Sequence, residues 1–357
     1  MHFDQLATVL LARAEPSYRL AQIKRAFFVE LLSDWSEVSV LSKYLREILA
    51  KEVAWTALTH VRVHTSADSE TAKTLFRCED GKTIEAVLMC HEDERNTVCI
   101  SSQVGCAMAC AFCATGTMGL ARNLTSAEIV EQVIHYARLL KTKNETVTNV
   151  VLMGMGEPFH NYNEVMKALK MLNDKEGFCF GARRMSISTC GIVPGILRLA
   201  DEPMQVNLAI SLHAGTDAVR SMLMPVNKIY PLAKLMEAVR IYMAKTNRKV
   251  MFEYVLLRGI NDRQEDAEAV AHLFGEDVRL VHVNVIKYHH TLAAFAGTEG
   301  GARTDFVEQL RALGIPATHR VTFGEDIEAA CGQLIVNVAA DEIAQDTPAV
   351  QLDKTQS

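Results

Sequence analysis

The chain has 357 residues, 49% hydrophobic and 22% charged, and its 37 basic against 43 acidic residues give a formal net charge of −6. With a mean hydropathy of +0.07, this composition excludes disorder, collagen or coiled coil as the whole account, and no run of about 18 apolar residues is present to span a membrane. A global nucleic-acid signature is also excluded, since dedicated binders sit well on the basic side, so any RNA contact must come from a local patch.

Amphipathic spacing at Leu6 to Ala14, Tyr18 to Leu32 and Leu41 to Glu52 predicts a small helical domain over residues 1–70. Leu6 to Ala12 follows acidic Asp4 and is only seven residues long, which favours a helix over a signal peptide. Two alternating runs, Thr74 to Cys78 and Thr83 to Met89, flank Glu79-Asp80-Gly81-Lys82, whose Asp-Gly predicts a linking β-hairpin over 71–91. Beyond it, β-rich runs at Val98 to Ser101, Asn149 to Met153, Arg184 to Ser188, Gln205 to Ser211, Val250 to Leu257 and Arg279 to Ile286 alternate with helical stretches. Six βα units predict an α/β core with a parallel sheet over 92–335. Thr125-Ser-Ala-Glu128 has capping-box spacing, Asn161 precedes the next helix as a capping residue, and Pro231 suits a first turn. A last helix near Thr304 to Leu313 precedes a strand at Ala317 to Thr322, and 336–357 is a polar tail.

Nine cysteines without a signal peptide argue for reduced thiols rather than a disulfide framework. Cys106, Cys110 and Cys113 form a Cys-x3-Cys-x2-Cys run directly after the first strand of the series. That places three thiols at the sheet edge where parallel α/β folds build sites. Structural zinc wants four protein ligands, with Cys99 and Cys90 the nearest additions, whereas three thiolates suit a 4Fe-4S cluster with one open iron that S-adenosylmethionine could chelate. Unrelated buried cysteines are the bland alternative. Phe112 could shield the cluster or merely pack. Met153-Gly-Met-Gly-Glu157-Pro158 closes the second strand; its glycines let backbone approach a ligand and Glu157 can accept from an amine. Ser188 and Ser211-Leu212-His213 end the third and fourth strands, where polar side chains can meet ribose and carboxylate oxygens.

Cys99-Ile-Ser-Ser-Gln-Val-Gly-Cys106, the cysteine run, Arg122-Asn-Leu-Thr125, Met153 to Pro158, Met224-Pro-Val-Asn227 and Asp326-Ile-Glu-Ala-Ala-Cys-Gly-Gln-Leu334 together resemble the radical S-adenosylmethionine RNA methyltransferases of the RlmN/Cfr family, from about residue 15 to 335. The resemblance implies a partial (β/α)6 radical-SAM barrel with an N-terminal helical accessory domain that binds RNA. It implies that Cys106, Cys110 and Cys113 hold the cluster, and that Gly156, Glu157, Ser188, Ser211, Leu212 and His213 line the cofactor site. Cys331 corresponds to the methyl-carrying cysteine, Cys99 to the resolving one, and Glu85 to the proton acceptor.

Adenine carbon 2 is electron-poor with a weakly acidic C–H, so polar delivery of a methyl cation is implausible and a radical route is required. In the scheme the resemblance implies, one S-adenosylmethionine methylates Cys331, and a second yields a 5′-deoxyadenosyl radical that activates the S-methyl group for addition to the base. Glu85 then removes the ring proton, and Cys99 attacks the Cys331 sulfur, leaving a disulfide that must be reduced. Two S-adenosylmethionine molecules are consumed per product. The implied partners are 23S rRNA, with tRNA as a second substrate, and a reductant such as flavodoxin or ferredoxin; a monomer in the cytoplasm is expected.

Candidate basic contacts for RNA are Arg122, Arg183, Arg184, Arg220, Lys228, Arg248 and Lys249, with Arg19, Lys24 and Arg25 in the helical domain, each equally readable as a solvated charge. One departure stands out. Where the family has an aromatic residue followed by Asn-Pro, this chain reads Tyr288-His289-His290, so His289 replaces the Asn that touches the cofactor. Pro158 after Glu157 favours the carbon 2 enzymes over the carbon 8 resistance type. An iron-sulfur or zinc protein that binds RNA without catalysis is the alternative from another class. Cys78, Cys90, Cys179 and Cys190 are left without chemistry.

Overall fold

The computed structural model describes residues 1–291 and 293–334, so the polar tail over 336–357 lies outside the described residues. Three helices open the chain, α1 (Phe3–Ala12), α2 (Tyr18–Phe28) and α3 (Lys43–Glu52). Their apolar faces meet around Trp55, whose ring lies 5.8 Å from Phe27 and 4.8 Å from Trp35. The helical span ends earlier than expected: Leu58–Thr65 is a strand, β1. Only Val61, Val63 and Thr65 of its outer half turn inward, and they are half-buried, which is the sparse apolar signal of an edge strand.

The hairpin forms as expected from β2 (Thr71–Cys78) and β3 (Thr83–Cys90). Gly81 takes φ +80 in its turn, a conformation glycine adopts without steric cost. Next come β4 (Asn96–Cys99), β5 (Gln103–Gly105), α4 (Ala114–Thr117), β6 (Leu120–Asn123) and α5 (Ser126–Lys141). Alternation then runs β7 (Asn149–Leu152), α6 (Tyr162–Asn173), β8 (Met185–Thr189), α7 (Val193–Ala200), β9 (Asn207–Ser211), α8 (Asp217–Leu223), α9 (Leu232–Thr246), β10 (Val250–Leu256), α10 (Gln264–Phe274), β11 (Val281–Lys287), α11 (Gly300–Ala312) and β12 (Ala317–His319).

Ten strands make one sheet in the order β1-β2-β3-β4-β7-β8-β9-β10-β11-β12, antiparallel as far as β4 and parallel from there on. The sheet is mixed α/β, and its parallel strands all end at one edge. Their residues read as continuous apolar runs because helices cover them, with Val150, Ile187, Leu208 and Phe252 all fully buried. Thr125 closes the predicted capping box with Glu128. Asn161 does not cap α6; its amide donates to the Ser102 and Leu124 carbonyls at 2.9 and 2.7 Å and ties two loops together instead. Among the described residues no helix is long and apolar enough to cross a membrane.

Candidate active site

The cysteine run is held at both ends by the small ribbon of β5 and β6. Gly105 sits at φ +74, and a Cβ there would lie 1.9 Å from the Gly119 carbonyl oxygen, so the loop can close only with glycine. Cys106 N donates to that same oxygen at 2.9 Å. Downstream, Ala114 N donates to Gly332 O at 2.8 Å and Thr115 Oγ1 to Leu334 O at 2.6 Å, which binds the loop to the segment carrying Cys331.

Cys106, Cys110 and Cys113 line a cavity at the C-terminal edge of the parallel strands, the edge where α/β folds place ligand sites. Gly156, Glu157, Ser188, Ser211 and His213 line it too, and Cys331 reaches its rim. Leu212 does not: its side chain is fully buried on the opposite side of the strand end, while its amide donates to Glu253 O at 3.0 Å. Gly156 lies at φ +100, where a Cβ would strike the Gln103 side chain at 2.5 Å.

Glu157 is buried, and its two carboxyl oxygens accept from Phe159 N at 3.0 Å and Cys190 N at 2.7 Å. Burial pushes its pKa up, opposed by those backbone hydrogen bonds. His213 accepts from Val255 N through Nδ1 at 2.9 Å, which leaves the proton on Nε2 as the ring's donor. Burial, followed by the charge of Arg220, takes its pKa down to about 3, so the ring is neutral. Phe112 packs edge-on against it at 4.7 Å.

A second cavity adjoins the first and is lined by Cys99, Cys331, Cys113, Val87, Met89 and His289. Cross-strand register explains part of it: Cys99 on β4 is paired directly with Val87 on β3, and Val87 with Lys73 on β2. Paired residues share a face, and so do residues two apart, so Glu85 lies on that face as well. Glu85 is buried against Lys73 at 3.3 Å, and Lys73 Nζ also donates to Glu328 O at 3.1 Å, in the segment before Cys331. Glu85 itself lines neither cavity. Burial, then the charge of Cys331, pushes the Cys99 thiol up to about 12.

The structure moves His289 away from the cofactor cavity, which Tyr288 lines in its place. Its imidazole is buried, with Nε2 3.4 Å from Thr322 Oγ1 and Nδ1 3.4 Å from Glu325 Oε1. Arg220 is no RNA contact. It is wholly buried beneath the cavity floor, donating to the carbonyls of Leu212, Ser211 and Cys190 and to Asn227 Oδ1. Arg122 clamps Asp80 and Glu128, Arg248 bonds the Gln205 and Asn207 region, and Lys24 pairs with Asp174. Arg25, Arg183, Arg184, Lys228 and Lys249 remain exposed. Sequence reasoning missed Arg320 and Glu253, which line the cofactor cavity and pair at 3.0 Å. The legible hint was a lone acid inside the apolar strand Val250-Met-Phe-Glu-Tyr-Val-Leu256. It also left Cys190 unassigned, although its Sγ lies 4.0 Å from that of Cys110 in the same cavity.

Residues 100–274 match the family model of the radical SAM superfamily. A "probable dual-specificity RNA methyltransferase RlmN" of Chloroflexus aurantiacus is 44% identical over 98% of this chain and 95% of its own length. One of the same description from Staphylococcus saprophyticus is 43% identical over 94% of this chain and 91% of its own. The chain belongs to the RlmN family. A crystal structure of a radical SAM methyltransferase from Sphaerobacter thermophilus superposes with a TM-score of 0.90 at 49% identity, covering 94% of this chain and 97% of that one.

RlmN-family membership implies a 4Fe-4S cluster and S-adenosylmethionine. The donor set fits: three thiols of one loop face a shared, largely apolar cavity, a soft ligand set with no fourth residue in the motif. Among the described residues no three His, Cys, Asp or Glu side chains are gathered at metal-binding spacing. Burial pushes Cys106 to about 12 and Cys113 to about 11, so ligation would have to release their protons. Among the described residues no two cysteines are joined in a disulfide.

Proposed function

We propose that this RlmN-family chain methylates carbon 2 of an adenine in RNA, 23S rRNA first and tRNA second, through a thiol relay between Cys331 and Cys99. The observation that carries this reading is the position of Cys331, on the wall common to the cysteine-run cavity and the Cys99 cavity. Cys106, Cys110 and Cys113 would hold the cluster, and Gly156, Glu157, Ser188, Ser211 and His213 the cofactor. When bound, the cluster supplies the electron that splits S-adenosylmethionine to a 5′-deoxyadenosyl radical.

Cys331, exposed on its loop, carries the methyl group taken from a first S-adenosylmethionine and presents it to the cofactor cavity. A second is consumed per product. Once base and Cys331 are joined, Glu85 takes the ring proton, and the one electron the radical adduct must also lose would return to the cluster; Lys73 pairs with Glu85. The Cys99 thiolate then attacks the Cys331 sulfur, the bond from that sulfur to the added carbon breaks, and the carbon keeps the electron pair and takes a proton as a methyl group. A flavodoxin- or ferredoxin-class reductant and a cytosolic setting would restore the dithiol. Residues 1–70, with exposed Arg25 and the exposed cations of the core, would bear on the RNA backbone, and a monomer suffices for every step.

Mass spectrometry of RNA nucleosides from cells with and without the gene tests the reading. Loss of 2-methyladenosine on deletion supports it; loss of 8-methyladenosine alone, or no change, overturns it.

A further inference from the structure

The two cavities meet at Arg320. Its side chain is one quarter exposed and lines both of them, as does Cys331, and among the described residues it is the only Lys or Arg on either wall. One guanidinium arm donates to Glu253 Oε2 at 3.0 Å, and Glu253 is steadied in turn by Asn284 Nδ2 on its other oxygen at 2.9 Å. The other arm donates to the Met153 thioether at 3.2 Å, a weak acceptor. Backbone bonding of Arg320 N to Val285 O at 2.9 Å fixes the residue at the end of β12. A rigidly held cation, with one arm spent on sulfur, thus stands at the shared wall beside two thiols.

We propose that Arg320 is the positioning cation of the thiol relay, the charge that favours ionisation of the Cys99 thiol for its attack on Cys331, an inference that rests on the relay described above. Attraction runs in both directions. Arg320 opposes the burial that pushes Cys99 up. Burial lowers Arg320 itself, yet Glu253, Cys331 and Cys99 raise it by more, so it stays charged. No other cation competes. The remaining ionisable groups on the walls are the thiols of Cys106, Cys110, Cys113 and Cys190, the acids Glu157 and Glu253, Tyr288, and His213 and His289, which burial lowers. On the hairpin face, Lys73 is taken by Glu85.

The test is the pH dependence of iodoacetamide labelling on anaerobic, cluster-loaded protein, read peptide by peptide for Cys99 and for the free-thiol fraction of Cys331. Arg320→Gln should raise the labelling midpoint of Cys99 by about one pH unit, a roughly tenfold slowing below it. Arg320→Lys should recover most of that shift. Glu253→Gln combined with Arg320→Gln removes the ion pair as a unit, so it also reports should Arg320→Gln fail to fold, and it should shift the midpoint as Arg320→Gln does. Unchanged midpoints in natively folded Gln variants would overturn the proposal. The readout needs no methyl transfer: the relay itself fails separately if Cys331→Ala still methylates RNA.

Discussion

Arg220 offers the sharpest stability prediction, because a wholly buried cation is unfavourable unless its hydrogen bonds offset the burial. Four of them join the ends of β8 and β9 to the α8 region: Nη2 to Cys190 O at 2.7 Å and Ser211 O at 3.1 Å, Nε to Leu212 O at 3.1 Å, and Nη1 to Asn227 Oδ1 at 2.9 Å. Burial pulls its pKa down. Arg220→Met keeps much of the volume but strands four buried acceptors, and the expected loss is about 3–5 kcal/mol. For 357 residues, an unfolding entropy of ~2.1 cal/mol/K per residue converts this to a fall in Tm of roughly 4–7 °C. Differential scanning calorimetry measures it, with exposed Arg183→Met as a control expected to stay within about 0.5 kcal/mol. Because Cys190 and Ser211 also line the cofactor cavity, S-adenosylmethionine affinity should fall in parallel. A Tm within about 1 °C of the parent would refute the role assigned to these hydrogen bonds.

Cys99→Ala should trap a covalent adduct between Cys331 and RNA, seen as a slow-migrating, nuclease-sensitive band; an active preparation without any adduct would remove the resolving role. Gly105→Ala, whose Cβ would lie 1.9 Å from a carbonyl oxygen, should open the cysteine loop and cut iron content after anaerobic reconstitution by more than half, with full loading as the contrary result. His213 is neutral when folded, its pKa down to about 3, but titrates near 6.5 when unfolded. The unfolded chain therefore binds more protons between these values, and stability falls as pH drops below about 6.5. At pH 5 the deficit is about 2 kcal/mol; urea midpoints at pH 7 and 5 should converge by that much in His213→Gln, and an unaltered difference would contradict it.

The cysteine run, the Asp-Gly hairpin and the capping box were legible because each is local: turn chemistry and spacing decide them within a few residues. The βα series was legible because buried parallel strands are continuous apolar runs. β1 was not, since an edge strand buries only half of one face and Val61 and Val63 alone carry its pattern. Arg220, Arg320 and His289 were misread or missed for a different reason. Arg320 meets Glu253 across 67 residues of sequence, and whether a charged or imidazole side chain turns inward depends on such distant partners. Resemblance could place His289 at the position of a cofactor-touching residue; only packing against Thr322 and Glu325 turns it to the neighbouring cavity.

The relay through Cys331 is most directly tested by incubating the cluster-loaded protein with S-adenosylmethionine carrying a labelled methyl group, then adding RNA and following both the Cys331 peptide and the RNA nucleosides by mass spectrometry. The label should appear on Cys331 before RNA is added and pass into 2-methyladenosine afterwards. Labelled 2-methyladenosine formed while Cys331 stays unlabelled would contradict the account.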